Sequence, residues 1–149
     1  MKTHTVKIKS IEHITHDVLR IVTEKPAEYS FTPGQATEIS INKKNWESEG
    51  RPFTFTCLPD NDYLEFTIKT YPKHKGMTNQ LLQLRIDEEL ILHDVFGAIN
   101  YKGEGFFIAG GAGVTPFISI FRYLKSTNSV GNNKLIFANK TKKDIIMEQ

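Results

Sequence analysis

Cysteine is nearly absent. Cys57 stands alone among 149 residues, which excludes an internal disulfide and any cluster held wholly by this chain's own thiolates. Excess charge of one sign is lacking too: a net charge of +2 is too mild to argue for nucleic acid. Only Lys134, Lys140, Lys142 and Lys143 make the C-terminal end locally basic, which suits a solvated face or the docking of an acidic partner protein. Long apolar runs are missing. The most apolar stretch, from Gly105 to Phe117, is glycine-rich and far short of the roughly 20 residues that a membrane span needs. The N-terminal MKTHTVKIKS has no apolar signal core, so a cytoplasmic location is the default expectation. Nor does a metal or acid–base constellation stand out. His13 and His16 lie in a strand-and-turn region with no third ligand in view, so no metal is expected. Cys57 reads as a small buried residue rather than a redox centre.

The composition, with 39% hydrophobic and 24% charged residues, is that of a globular chain, long enough for one ordinary domain and too short for two full-sized ones. From Thr3 to about Leu92 it reads as short strands. HTVKIKSIEHI alternates through Val6 and Ile8; DVLRIVTEK carries Leu19 and Ile21 on one face and Val18 and Val22 on the other. Both suit a sheet with one side buried, and Thr15, His16 and Asp17 between them suit a hairpin. Pro33 and Gly34 signal a turn before the strand QATEISI. The polar NKKNWESEG is a surface loop leading into RPFTFTCLP, Arg51 to Pro59. There a cation precedes alternating aromatics and hydroxyls, with Phe53 and Phe55 on one face and Pro52, Thr54 and Thr56 on the other, a surface suited to a ring system. YLEFTIKTY is the clearest strand, its Leu64, Phe66 and Ile68 alternating with Glu65, Thr67 and Lys69. PKHKG breaks it, and TNQLLQL places Leu81, Leu82 and Leu84 at helical spacing with Thr78 as cap. DEELILHDVFG returns to a strand. Six strands and one helix predict a closed antiparallel barrel with the helix over one opening.

At Gly103 the pattern changes. GFFIA reads as a strand buried on both faces, as in a parallel sheet. GGAGVTP follows, and then FISIFRYLK as a helix, with Pro116 at its first position and Thr115 as its cap. KLIFANK reads as a second buried strand and TKKDIIMEQ as the start of another helix. The class is therefore mainly β with partial α/β, a six-stranded barrel over residues 1–102 followed by an incomplete βαβ unit over 103–149.

Two stretches suit phosphate. In KGMTNQL, Gly76 lets a ligand approach the backbone at a helix start with Thr78 beside it; in GGAGVTP, three glycines and Thr115 lie between a strand and a helix. Together with RPFT, the PGQ of Pro33 to Gln35, and the DVFG of Asp94 to Gly97, these motifs resemble the ferredoxin–NADP reductase superfamily, and within it the bacterial flavodoxin and ferredoxin reductase-like members. The resemblance covers nearly the whole chain in the family's order. It implies an antiparallel FAD-binding barrel followed by a nicotinamide-nucleotide domain.

By this resemblance Arg51 neutralises the flavin pyrophosphate, with Pro52 beside it; Phe53 packs on the flavin; and Thr54, the catalytic candidate, donates a hydrogen bond near the ring nitrogen that receives the hydride. Thr67, Ile68 and Lys69 line the cofactor largely through their backbone, and Gly76, Met77 and Thr78 cradle its phosphate. Gly110, Gly111, Gly113 and Thr115 receive the nicotinamide dinucleotide, and Thr115 lies close to the flavin as well. The family commonly has tyrosine where this chain has Phe53, which keeps the stacking face and loses a hydroxyl. The activity implied is hydride transfer between NAD(P)H and FAD with electrons passed to a carrier such as ferredoxin or flavodoxin, a task of positioning rather than acid–base chemistry. The alternatives are a non-enzymatic flavin-binding electron-transfer or regulatory module, and a barrel that serves only protein interaction. The family carries more sequence beyond the position of Gln149, so the flavin site is expected to be largely present, efficient nicotinamide binding is not, and sheet surface is left open to self-association.

Overall fold

The computed structural model describes residues 2–147. Six strands, β1 (His4–His13), β2 (Val18–Glu24), β3 (Ala36–Ile41), β4 (Arg51–Thr54), β5 (Tyr63–Lys69) and β6 (Glu89–Phe96), form one sheet in the order β4-β3-β6-β1-β2-β5. Every neighbouring pair is antiparallel. The expected hairpin of β1 and β2 is present, closed by the Ile14 amide donating to the Val18 carbonyl at 2.9 Å. The ends of the sheet meet where Phe55, just past β4, bridges Phe66 of β5.

Alternation drives this closure because each strand turns one set of apolar side chains inward. Val6, Ile8, Leu19, Ile21, Ile39, Ile41, Leu64, Phe66, Leu90 and Leu92 make one core. Phe55 sits at its centre, stacked on Phe31 with ring centres 4.2 Å apart and 5.2 Å from Phe66. The short helix α1 (Met77–Leu81) covers one opening, burying Met77 and Leu81. Its cap is Gly76 and no side chain caps it; the Thr78 hydroxyl instead accepts from the Tyr71 amide at 3.3 Å. Thr78 is thus inside the helix, one correction to the sequence reading. Gly34 has the expected turn conformation, with φ +105°, and a side chain there would collide with the Ile99 carbonyl oxygen.

After the barrel come β7 (Phe106–Gly110), a single 3₁₀ turn over Gly111–Val114, α2 (Thr115–Ser126) and β8 (Lys134–Ala138), with β7 and β8 parallel. Thr115 is the first helical residue rather than the cap, because the glycine turn runs straight into α2 and Val114 takes the cap position. Neither strand is buried on both faces as the sequence suggested. α2 covers one side of the pair, but Phe106 is 69% and Ile108 72% exposed on the other, and Leu135 and Ile136 of β8 are open too. TKKDIIMEQ supplies one 3₁₀ turn, Lys142–Asp144, not a longer helix, and its last two residues lie outside the described ones. Among the described residues no helix is long and apolar enough to cross a membrane.

The C-terminal elements change what counts as the outside of the barrel. Val18 joins Ala109, Val114, Ile118 and Ile146 in a second apolar cluster. Glu65 and Thr67, which alternate with Leu64, Phe66 and Ile68 along β5, are 2% and 5% exposed. β2 and β5 are therefore buried on both faces.

Candidate functional site

Among the described residues β4 is an edge strand, paired only with β3, and Pro52 faces Glu38 there without breaking an interior ladder. Beside it opens a cleft of about 570 Å³, within the range of small-molecule sites. One wall is Arg51, Pro52, Phe53 and Thr54; the facing wall is Thr67, Ile68 and Lys69 of β5. Gly76, Met77 and Thr78 close one end, and Ala112 and Thr115 reach in from the glycine turn and α2. Tyr71 and His74 complete the lining.

Phe53 and Phe55 do not act as a row. Phe53 lines the cleft while Phe55 turns into the core, because the strand ends at Thr54 and the chain bends inward to bridge Phe66. Arg51 is half exposed: its guanidinium donates to the Gly50 carbonyl at 2.7 Å and stands 4.0 Å from Glu49. Such a loosely held cation is available to a phosphate. Lys69 Nζ lies 5.8 Å from the centre of the Tyr71 ring, which stacks on His74 at 5.7 Å. At Gly76 no atom lies within 4 Å of where a Cβ would sit, so a ligand can approach that backbone.

A second cavity of about 330 Å³ adjoins the first, with Lys69 and Ala112 in both. It lies at the carboxyl ends of β7 and β8, lined by Gly111, Ala138 and Asn139 among others, where open α/β sheets take ligands. Asn139 Oδ1 is buried there with no hydrogen-bond partner among the described residues. Of the residues assigned to a nicotinamide dinucleotide, Gly111 lines this second cavity and Thr115 the first, whereas Gly110 and Gly113 line neither.

Burial pushes the Cys57 thiol up to about 11, which keeps it protonated and unreactive at neutral pH. The structure gathers His16 with Asp17 and Asp144 rather than with His13: His16 Nε2 is 3.5 Å from Asp17 and 3.2 Å from Asp144. The Thr141 hydroxyl beside Asp144 holds its carboxyl below the usual range. These contacts fasten the C-terminal turn to the hairpin loop.

Sequence reasoning missed Tyr71, His74 and Ala112. The signal for the first two is present, since an aromatic and a histidine three apart directly precede Gly76, but by propensity PKHKG is only a strand breaker.

Residues 3–143 match the family described as an FAD-binding domain. The chain is 30% identical over 149 residues to the reductase component of propane 2-monooxygenase from Rhodococcus jostii, covering 93% of this chain and 39% of that protein. It is 27% identical over 152 residues to NADH-cytochrome b5 reductase 2-A of Vanderwaltozyma polyspora, covering 95% of this chain and 51% of that protein. A solved ferredoxin NADP+ reductase from Neisseria gonorrhoeae, with bound FAD and NADP, has the same fold at a TM-score of 0.85 and 18% identity, covering 98% of this chain and 61% of the other. The chain spans about two fifths of the length of the monooxygenase reductases it matches.

Proposed function

Because the chain belongs to the FAD-binding domain family, within the ferredoxin–NADP reductase superfamily, we propose that its cleft holds FAD and that it forms the flavin part of an NAD(P)H-dependent reductase. In this reading residues 1–102 are the flavin-binding barrel and residues 103–149 the first part of the nucleotide-binding unit. The observation that carries it is the convergence of Arg51–Thr54, Thr67–Lys69 and Gly76–Thr78 on one cleft. These residues come from three separate stretches, and they fit the group: a loosely held cation and an open glycine for phosphate, flat faces for a ring, hydroxyls for its polar edge.

When bound, the flavin supplies a ring that accepts a hydride and passes electrons onward. The chain's own residues have simpler tasks. Arg51 pairs with phosphate oxygens through its planar fork, and the backbone at Gly76 and Met77 offers a second phosphate contact. Phe53 gives an aromatic wall, and the half-buried Thr54 hydroxyl orients the ring's reacting edge from within the cleft. Tyr71 and His74 present a further stacking surface. Ala112 and Thr115 bound the side on which the glycine turn would bring the nicotinamide, and Asn139 Oδ1 offers a buried acceptor in the adjoining cavity. Electrons would pass to a carrier protein; the exposed Lys134, Lys140, Lys142 and Lys143 suit an acidic one. A cytoplasmic location completes this reading, with self-association through the bare face of β7.

A second reading has an observation of its own. With β7 and β8 forming a two-stranded sheet open on one face, this chain alone suits a flavin-binding module that takes no nicotinamide nucleotide. Purified chain titrated with FAD, followed by flavin absorption and fluorescence, tests the first claim; no binding at micromolar FAD would overturn it. Adding NADPH to the loaded chain without oxygen then tests the second reading: bleaching of the flavin band marks a reductase and overturns the module.

A further inference from the structure

The stretch from Arg51 to Pro59 has two ends with different attachments. Its first four residues line the cleft. Its middle, Thr56 and Cys57, is bonded to α2: the Ser119 hydroxyl donates to the Cys57 carbonyl at 2.7 Å, and Arg122, one turn on, donates to the Thr56 carbonyl at 2.7 Å. The same Arg122 nitrogen donates at 2.7 Å to Oε1 of Glu65, which lies on β5 and is 2% exposed. Arg20 from β2 holds the other carboxylate oxygen, its Nε and Nη2 each 3.2 Å from Oε2. A buried carboxylate thus stands between two guanidinium groups, one on the barrel and one on α2.

The direction of the remaining bonds follows from chemistry. A carboxylate only accepts, so the Thr56 hydroxyl, 2.7 Å from Oε1, spends its proton there. It must then accept from Thr67, whose hydroxyl is 3.1 Å away. Thr67 is also part of the cleft wall. One chain of hydrogen bonds therefore runs from the cleft through Thr67, Thr56 and Glu65 to Arg122 on α2.

Apolar contact crosses the same boundary too, in the cluster of Val18, Ala109, Val114, Ile118 and Ile146 with Ile14 and Phe117 packed on it, and at Ile120, 1% exposed, beside the Gly34 turn. Apolar contact is non-directional, so it draws α2 to the barrel without setting its rotation. A buried ion pair adds little net stability, but it penalises every arrangement that leaves one charge stranded. We propose that Glu65 is a positioning residue: together with Arg122 it fixes α2, and with it the Ala112–Thr115 wall, in one register against the flavin cleft. This rests on the reading of the cleft as a flavin site. The joint couples in both directions, so a ligand that orders Thr67 also steadies α2.

Hydrogen exchange by mass spectrometry tests it on the full chain, with and without FAD, in wild type, Glu65→Gln, Arg122→Met and Arg122→Lys. The amides of Ser119–Leu124 belong to α2 and do not line the cleft. In Arg122→Met and Glu65→Gln they are expected to exchange at least about tenfold faster, and in Arg122→Met the barrel strands keep their wild-type rates. Arg122→Lys restores most of the protection. A role confined to global stability would instead raise exchange throughout. The visible circular dichroism of bound FAD is expected to change in Arg122→Met and to return toward wild type in Arg122→Lys. Unchanged exchange of Ser119–Leu124 in Arg122→Met, or an unchanged flavin dichroism, overturns the proposal. Should Glu65→Gln fail to fold, Arg122→Met decides, since that side chain is 39% exposed and leaves no fully buried gap. If the wild-type chain binds no FAD, the flavin reading fails by itself, and the comparison without FAD still decides the joint.

Discussion

Phe53 and Phe55 are two residues apart, yet their replacement by alanine should have unlike consequences. Phe55 is fully buried, stacked on Phe31 at 4.2 Å, edge-on to Tyr29 at 6.0 Å and against Phe66 at 5.2 Å, and its backbone bridge closes the barrel. Removing a buried phenyl ring costs about 3–5 kcal/mol through lost transfer energy and the cavity left behind. For a chain of this size that lowers the melting temperature by roughly 6–20 °C. Phe53 is partly exposed at the cleft, so Phe53→Ala should cost less than about 1.5 kcal/mol of stability. Its loss falls on the ligand: one aromatic stacking contact is worth about 1 kcal/mol, or about fivefold in FAD affinity. Thermal melts of the flavin-free variants and FAD titrations of the folded ones measure both effects. If Phe53→Ala destabilised the chain as much as Phe55→Ala, the division of this stretch into a core side and a cleft side would be wrong. A Phe55→Ala variant that bound FAD weakly with no loss of stability would refute the division equally.

Three more outcomes are expected. Arg51→Ala should weaken FAD binding by at least about tenfold, the worth of a charged hydrogen bond to phosphate, and leave riboflavin, which has no phosphate, unaffected; equal losses for both ligands would contradict that role. Because burial raises the Cys57 thiol from 9.0 to about 11, the folded chain binds that proton more tightly than the unfolded one. The stability this contributes is full below pH 9 and is lost as pH rises toward 11, about 2–3 kcal/mol in all; denaturant midpoints of Cys57→Ala should lack that part of the decline, and identical profiles would refute it. Ile108→Lys places a charge on the bare face of β7, where the side chain is 72% exposed. It should reduce concentration-dependent light scattering with a stability change within about 0.5 kcal/mol; scattering at the wild-type level would show that this face does not drive association.

The barrel was legible because alternation at Val6, Ile8, Leu64, Phe66 and Ile68 has only one solution in a half-buried strand. The cleft was legible through the family resemblance, which picked out residues from three separate stretches. The failures share a physical cause. A single strand's pattern does not say what covers its second face, so nothing in YLEFTIKTY showed that Glu65 and Thr67 are buried. The same blindness ran the other way at Phe106 and Ile108, whose apolar run implied two covered faces where there is one. Thr78 and Thr115 looked like caps because a hydroxyl beside a glycine is the usual signal, but in both places the glycine backbone begins the turn without help. Tyr71 and His74 came together only through a turn geometry that propensity does not resolve.

The place of β6 in the sheet also dictates an order of events. It lies between β3 and β1, pairing with both, and it is the last barrel strand in the chain. Until residues 89–96 leave the ribosome, the nascent chain can hold only two pieces, β4 with β3 and β1 with β2 and β5, joined at most through the single bridge of Phe55 to Phe66. Each piece bares an unpaired inner edge for as long as the final strand is still being made. A pause in synthesis before Glu89 would therefore prolong the exposure of both edges, and the emergence of Phe96 ends it.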